Sequence, residues 1–184
     1  IGAVNTIVHH SGRLKGFNTD CFGAVAPLRH FGIPEKRVGI IGAGGAARAA
    51  GFGMVQESAR VTVINRSTGK GGRLAAELDC RFLKPEKLER QAFDILINTT
   101  PSGMFPNTED SPVPAHLLKP GMVVMDMVYN PVETRLLRQA GQRGCHTVSG
   151  IEMFICQAAK QFELWTGLSP SIDTLREVMT KEAT

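Results

Sequence analysis

The sequence predicts an α/β fold built on a doubly wound parallel sheet. Three observations predict it. Short apolar runs that read as strands alternate with helical stretches over residues 37–148. One such run, Val38-Gly39-Ile40-Ile41, passes directly into a glycine-rich turn, Gly42-Ala43-Gly44-Gly45-Ala46-Ala47, and then into a helical stretch. The next apolar run, residues 61–64, ends on Asn65-Arg66-Ser67, about 20 residues beyond the glycines.

The elements follow in order. Residues 1–8 alternate as a strand, His9-His10-Ser11-Gly12 turns, and residues 14–17 return as a short strand. Asn18-Thr19-Asp20 gives a polar start to a helix over residues 22–30, which Gly32-Ile33-Pro34 breaks. Strand 38–41, helix 46–55 and strand 61–64 come next. A helix over residues 70–78 carries Gly71-Gly72 near its start, which predicts a loose or frayed first turn. Residues 81–83 read as a strand, 85–90 as a short helix, and 93–98 as a buried strand running into Thr99-Thr100-Pro101-Ser102-Gly103-Met104. A strand over residues 122–128 holds Asp126 near its end, before the turn Tyr129-Asn130-Pro131. A helix over 132–142 and a strand over 145–148 complete the sheet. Right-handed crossovers would gather the loops at Gly42, Asn65, Thr99, Tyr129 and Gly150 on one side, where such sheets bind ligands. Beyond it, residues 151–166 form a long helix with Met153, Phe154, Ala158 and Phe162 among its apolar positions. Gly167-Leu168-Ser169-Pro170 stops it, and residues 171–181 form a last helix capped by Ser169 or Ser171.

Composition narrows the function classes. With 184 residues, 42% hydrophobic and 21% charged, the chain has the make-up of an ordinary globular α/β domain. Its net charge of +4 is scattered and its aromatics are few, so it carries no nucleic-acid footprint. Cys21, Cys80, Cys145 and Cys156 lack C-x-x-C spacing and read as reduced, mostly buried thiols of a cytoplasmic protein. No apolar run suits a membrane span and no signal peptide is visible. The chain starts with Ile1, inside a strand-like segment, and reads as a piece of a longer polypeptide.

The glycine-rich turn matches G-x-G-x-x-G/A in the strand–turn–helix context that gives the motif meaning. In this Rossmann-type reading Gly42 makes the tight turn, Gly44 admits a pyrophosphate, and Ala47 lets the helix pack close to the sheet. An NAD site places Asp or Glu at the end of the following strand. Here Asn65, Arg66, Ser67 and Lys70 stand instead, so nothing repels a 2′-phosphate and a guanidinium is present to grip it. The charge pattern therefore predicts NADP rather than NAD.

Several motifs occur together in one order: Gly2-Ala3-Val4-Asn5-Thr6, Gly16-Phe17-Asn18-Thr19-Asp20, the Gly42 turn, Asn65-Arg66-Ser67, Asn98-Thr99-Thr100-Pro101-Ser102-Gly103-Met104, and Asp126-Met127-Val128-Tyr129-Asn130-Pro131. The helix with Gln157, Phe162 and Trp165 follows. In these motifs the chain resembles shikimate dehydrogenases, including those fused to a dehydroquinate dehydratase. The resemblance implies reversible hydride transfer between NADP(H) and C3 of shikimate, in a cleft between a substrate domain and a Rossmann domain. It implies that Asp20 faces the reacting oxygen beside a Lys from a segment upstream of Ile1, where most of the substrate domain would also lie. It implies substrate contacts from Asn5, Asp20, Tyr129 and Gln157. Cofactor contacts are implied for Gly42, Ala43, Gly44, Gly45, Ala46, Asn65, Arg66, Ser67, Lys70, Met127 and Gly150. Residues 1–20 would then end the substrate domain, 21–149 form the NADP-binding domain, and 150–184 pack back on the substrate domain. A chain without the upstream segment is expected to be inactive alone. Alternatives are a quinate/shikimate dehydrogenase using NAD, or a dinucleotide-binding module without catalysis.

The residues also have plainer readings. Asp20 by itself suits a helix N-cap, Asn5 a turn, Tyr129 a packed ring and Gln157 a surface amide. Lys15 reads as a solvated charge, and Phe162 and Trp165 as core. His9 and His10 have no partner at metal-ligand spacing, so no metal is expected.

Overall fold

The computed structural model describes residues 1–182. Strands β1 (Thr6–His10) and β2 (Arg13–Phe17) form an antiparallel hairpin apart from the main sheet. Helix α1 (Thr19–Val25) follows, continued by a 3-10 turn, Ala26–Phe31. The predicted single helix is thus divided. Pro27 has no N–H to offer the carbonyl of Gly23, so the α-helical ladder ends there.

The main sheet has six parallel strands: β3 (Arg37–Ile41), β4 (Arg60–Ile64), β5 (Arg81–Leu83), β6 (Ile95–Asn98), β7 (Val123–Asp126) and β8 (His146–Val148). Their order is β5-β4-β3-β6-β7-β8, so the chain winds outward from β3 in both directions. Helices α2 (Gly45–Gln56), α3 (Thr68–Glu77) and α4 (Arg135–Gln142) cover the faces. One face packs against Ala47, Ala50, Met54 and Leu74, the other against Leu118, Leu136, Leu137 and Ala140. Two covered faces explain why β3, β4, β6 and β7 are continuous apolar runs rather than alternating ones. The long helix α5 (Gly150–Thr166) and the terminal α6 (Ile172–Glu182) close the chain. Gly167 ends α5 in the left-handed region at φ 72°, and the Ser171 hydroxyl accepts from the Thr174 N–H at 3.2 Å, which settles the cap of α6.

Three expectations need correction. First, α3 is not loose at its start. It begins at Thr68, two residues earlier than expected, because Ser67 caps it by accepting from the Lys70 N–H at 3.3 Å. Gly71 is there for packing: a Cβ would overlap the Phe82 ring and lie 2.9 Å from the Asn65 Cβ. Second, Phe162 and Trp165 are not core; they are 42% and 59% exposed, and the Trp165 Nε1–H donates to the Ile7 carbonyl at 3.1 Å. Third, the four cysteines are half-buried rather than mostly buried. Burial nevertheless pushes all four thiols up from their ordinary value, so they are poor nucleophiles.

The adjacent glycines of α3 give a paired test. Gly71→Ala should destabilise the fold by about 1–3 kcal/mol, because Phe82 must move. Gly72→Ala meets no atom within 4 Å and should stabilise it by about 0.5–1 kcal/mol through helix propensity. Thermal unfolding of both variants checks this; shifts of one sign would contradict the packing account.

Candidate active site at the C-terminal edge of the sheet

Strand β3 lies mid-sheet, and the winding reverses between it and β6. A crevice forms at such a reversal. Gly42 leaves β3 at φ 121°, its N–H donating to the Ile64 carbonyl at 2.8 Å. A Cβ on Gly42 would overlap the Thr99 hydroxyl, which donates to the Ile41 carbonyl at 2.6 Å. Sterics and backbone angle therefore both demand glycine.

Gly44 is the N-cap of α2 and supplies no side-chain cap. By contrast Asn18, Ser67 and Thr134 cap α1, α3 and α4. The first-turn N–H groups of α2 are left for an anion, at the positive end of the helix dipole. A Cβ on Gly44 or Gly45 would meet no protein atom within 4 Å, so the space beside the turn is open. Half-buried Ala43 and Ala46 flank it. The turn fits a pyrophosphate.

At the end of β4 the Asn65 amide donates to the Ser67 carbonyl at 3.0 Å, shaping the turn that exposes Arg66. Arg66 and Lys70 are exposed, and neither is ion-paired among the described residues. Two unpaired cations with no carboxylate in the turn suit a phosphate on a ribose.

A second group of polar residues forms beside α1. Asn18, not Asp20, caps this helix, accepting from the Cys21 N–H at 3.2 Å. Asp20 sits in the first turn with its carboxylate held by the Asn5 amide at 2.9 Å. The same amide reaches the Thr19 hydroxyl at 3.0 Å, and the Asn5 Oδ1 accepts from the Thr19 N–H at 2.9 Å. The Thr19 hydroxyl lies 3.2 Å from the Gln157 Oε1. Asn5, which holds Asp20, is thus joined to Gln157 through Thr19, a fully buried residue that sequence reasoning missed. Its one local signal is its place between a cap and an acid.

Helix α5 links this group to the sheet. At its first residue, a Cβ on Gly150 would lie 2.5 Å from the Val128 carbonyl oxygen and 2.8 Å from that of Met127. One turn on, the Phe154 ring stands 6.1 Å from the exposed Tyr129 ring. Phe154 and Gln157, three residues apart, share a face. The Met127 N–H donates to the Asn98 carbonyl at 3.0 Å, tying that loop to the end of β6. Below it Asp126 is fully buried; burial pushes its carboxyl up, opposed by hydrogen bonds from Thr134, Val128 and Asn98. Lys15 is exposed over the Phe17 ring at 5.0 Å and does not pair with Asp20. A cavity of about 790 Å³ lies at the opposite edge of the sheet, around Arg37, Asp94 and His146, away from all of these residues.

This fold and edge geometry define a dinucleotide-binding domain of the α/β class. A family profile described as "Shikimate / quinate 5-dehydrogenase" matches residues 26–126, and one described as "Shikimate 5'-dehydrogenase C-terminal domain" matches residues 150–180. The shikimate dehydrogenase (NADP(+)) of Methanosarcina barkeri is 39% identical, over 97% of this chain and 68% of that protein. Shikimate 5-dehydrogenase from Thermus thermophilus, solved with NADP(H) and shikimate, superposes with a TM-score of 0.89 at 37% identity, covering all of this chain and 69% of that one. Quinate dehydrogenase from Corynebacterium glutamicum, solved with NAD, gives a TM-score of 0.90 at 30% identity, covering 98% of this chain and 68% of that one. The chain belongs to the shikimate dehydrogenase family.

The open space beside Gly44 yields a direct test. Gly44→Val should fold normally, because a Cβ there meets no protein atom within 4 Å, yet lose dinucleotide binding because it fills the pyrophosphate space. Calorimetric titration checks this; normal binding by the folded variant would move the phosphate site elsewhere.

Proposed function

We propose that this chain carries the cofactor site and part of the substrate site of an NADP-dependent shikimate dehydrogenase, which interconverts 3-dehydroshikimate and shikimate. The observation that carries this is the pairing of an uncapped α2 N-terminus with unpaired Arg66 and Lys70, where an NAD site would hold a carboxylate. The same observation disfavours a quinate enzyme using NAD. The chemistry that bound NADP would supply is that of a hydride acceptor for the alcohol carbon.

The chain's own residues divide the remaining work. First-turn N–H groups of α2, with Gly42, Ala43, Gly44, Gly45 and Ala46, cradle the pyrophosphate. Arg66 and Lys70 hold the 2′-phosphate, and Asn65 and Ser67 shape their turn. Met127 and Gly150, across β3 from Arg66, would hold the nicotinamide half of the cofactor. Asn5, Tyr129 and Gln157 orient the substrate. As hydride leaves the carbon, the hydroxyl proton must leave the oxygen, and Asp20 serves that transfer. Its orientation comes from the Asn5 amide. The ammonium that would partner it would belong to a substrate domain outside these residues, a reading supported by the chain's spanning 68% of the length of its Methanosarcina barkeri relative. On this reading residues 1–20 end the substrate domain, 21–149 bind the cofactor and 150–182 pack back on the substrate domain, residues 183–184 of the expected span lying outside the described residues. Contacts from Gln161 to Thr6 and from Trp165 to Ile7 support the last assignment. No helix among the described residues is long and apolar enough to cross a membrane. Four unpaired thiols support a cytoplasmic setting.

Two substitutions separate the two ends of the site. Arg66→Ala should weaken NADP by roughly tenfold to a hundredfold, the worth of a charge-assisted contact, and leave NAD nearly unchanged. Asp20→Asn in the catalytically complete enzyme should lower kcat by about 10²–10⁴-fold while NADP affinity stays within about threefold. Parallel binding and steady-state measurements decide. Equal losses for both cofactors, or an unchanged kcat, would refute the corresponding role.

A further inference from the structure

The mechanism leaves one buried titratable group unused. Asp126 ends β7 with no solvent exposure, and each of its oxygens is engaged. Its Oδ1 accepts from the Asn98 amide at 2.9 Å and from the Val128 N–H at 3.1 Å. Its Oδ2 accepts from the Thr134 hydroxyl at 2.6 Å. That hydroxyl already accepts from the Leu137 N–H at 3.3 Å, so its proton points to Asp126. Asn98 is equally buried. Its amide also reaches the Ser102 carbonyl at 3.2 Å, and its Oδ1 accepts from the Thr100 N–H at 3.0 Å and hydroxyl at 2.7 Å.

One carboxylate therefore holds three segments: the loop after β6 through Asn98, the loop after β7 through Val128, and the start of α4 through Thr134. The loop after β7 is pressed from its other side by Gly150, against which Val128 leaves no room for a side chain. Met127 and Tyr129 flank Val128. A backbone clamped at Val128 fixes both neighbours at once. Among the described residues Gly44 and Arg66, at the phosphate end, have no hydrogen bond to this network; the neighbouring Thr99 donates to the Ile41 carbonyl, just before Gly42.

We propose that Asp126, with Asn98 and Thr134, is a positioning network for hydride transfer, setting the nicotinamide and substrate end of the site through Met127 and Tyr129 without acting on the phosphate end. This rests on the dehydrogenase reading above. Removing one acceptor leaves buried donors unpaired and frees the loop. In Asp126→Asn the new NH₂ faces the Thr134 hydroxyl, which is itself a donor there.

The experiment uses the catalytically complete enzyme and three variants: Asp126→Asn, Thr134→Val and Thr134→Ser. In Asp126→Asn and Thr134→Val, kcat for shikimate oxidation should fall by about tenfold or more, the cost of a small misplacement of reacting groups. The emission of bound NADPH should shift toward that of free NADPH. Binding of 2′,5′-ADP, which lacks the nicotinamide, should stay within about twofold, since its contacts are those of the phosphate end. Thr134→Ser keeps the hydroxyl and should restore both kcat and emission. Unchanged kcat and emission in folded Asp126→Asn would overturn the proposal. So would a loss of 2′,5′-ADP binding in step with kcat, which marks general destabilisation, or failure of Thr134→Ser to differ from Thr134→Val. If Asp126→Asn does not fold, the Thr134 pair decides. If the unaltered enzyme binds NADPH but does not oxidise shikimate, the substrate assignment fails while the emission comparison still judges the network.

Discussion

The close seating of α5 on α1 is the constraint on which the site depends. A Cβ on Gly23 would lie 2.7 Å from the Met153 carbonyl oxygen and 2.8 Å from the Gln157 Cβ, so the two helices meet backbone to backbone. Gly150 sets a second near-contact at the N-terminus of α5. Between and beyond them, Gly150, Phe154, Gln157, Gln161 and Trp165 recur at helical spacing along one face. Each touches a different segment: the Met127–Val128 backbone, Tyr129, Thr19, Thr6 and Ile7. One rigid helix thus sets the distance between the loop after β7 and the Asn5–Asp20 pair.

The two ends of the site are held by different physics. The phosphate end is made of backbone and unpaired cations: an uncapped helix start, two glycines facing open space, and an exposed guanidinium. It is prepared for negative charge and needs little support from the core. The end proposed for hydride transfer is made of side-chain hydrogen bonds that run from exposed Asn5 to half-buried Asp20 and Gln157 and to buried Thr19 and Asp126. There Asn5 orients Asp20, Thr19 bridges to Gln157, and Asp126 holds the loop above it. Such networks fix geometry closely because each unmade bond in a low dielectric is costly.

Much of the fold was legible because its strands are buried on both faces. Runs such as Val38 to Ile41 and Val61 to Ile64 have no other plausible use beside a glycine turn. Element ends were less legible, since they depend on caps: Ser67 and Thr134 reset the starts of α3 and α4 by single hydrogen bonds. Gly71 misled because helix propensity speaks against glycine, whereas the Phe82 ring requires it. Phe162 and Trp165 misled because apolar character alone does not say which face of α5 is covered. At the candidate site, the open glycine turn after β3 was readable from spacing. Thr19, and the bonds from Asp126 to Asn98 and Thr134, were not, because partners 8 to 138 residues apart leave no local pattern.

On the proposed function, the seating of α5 would align the substrate groups with the cofactor, while the cofactor's phosphates would be held by the Gly44 turn and Arg66. Gly23→Ala tests this most directly, since a single methyl group must push α5 away from α1. Measured in the catalytically complete enzyme, it should lower kcat/KM for shikimate by about tenfold or more and leave NADP affinity within about threefold. A folded Gly23→Ala enzyme with unchanged kcat/KM would contradict the account.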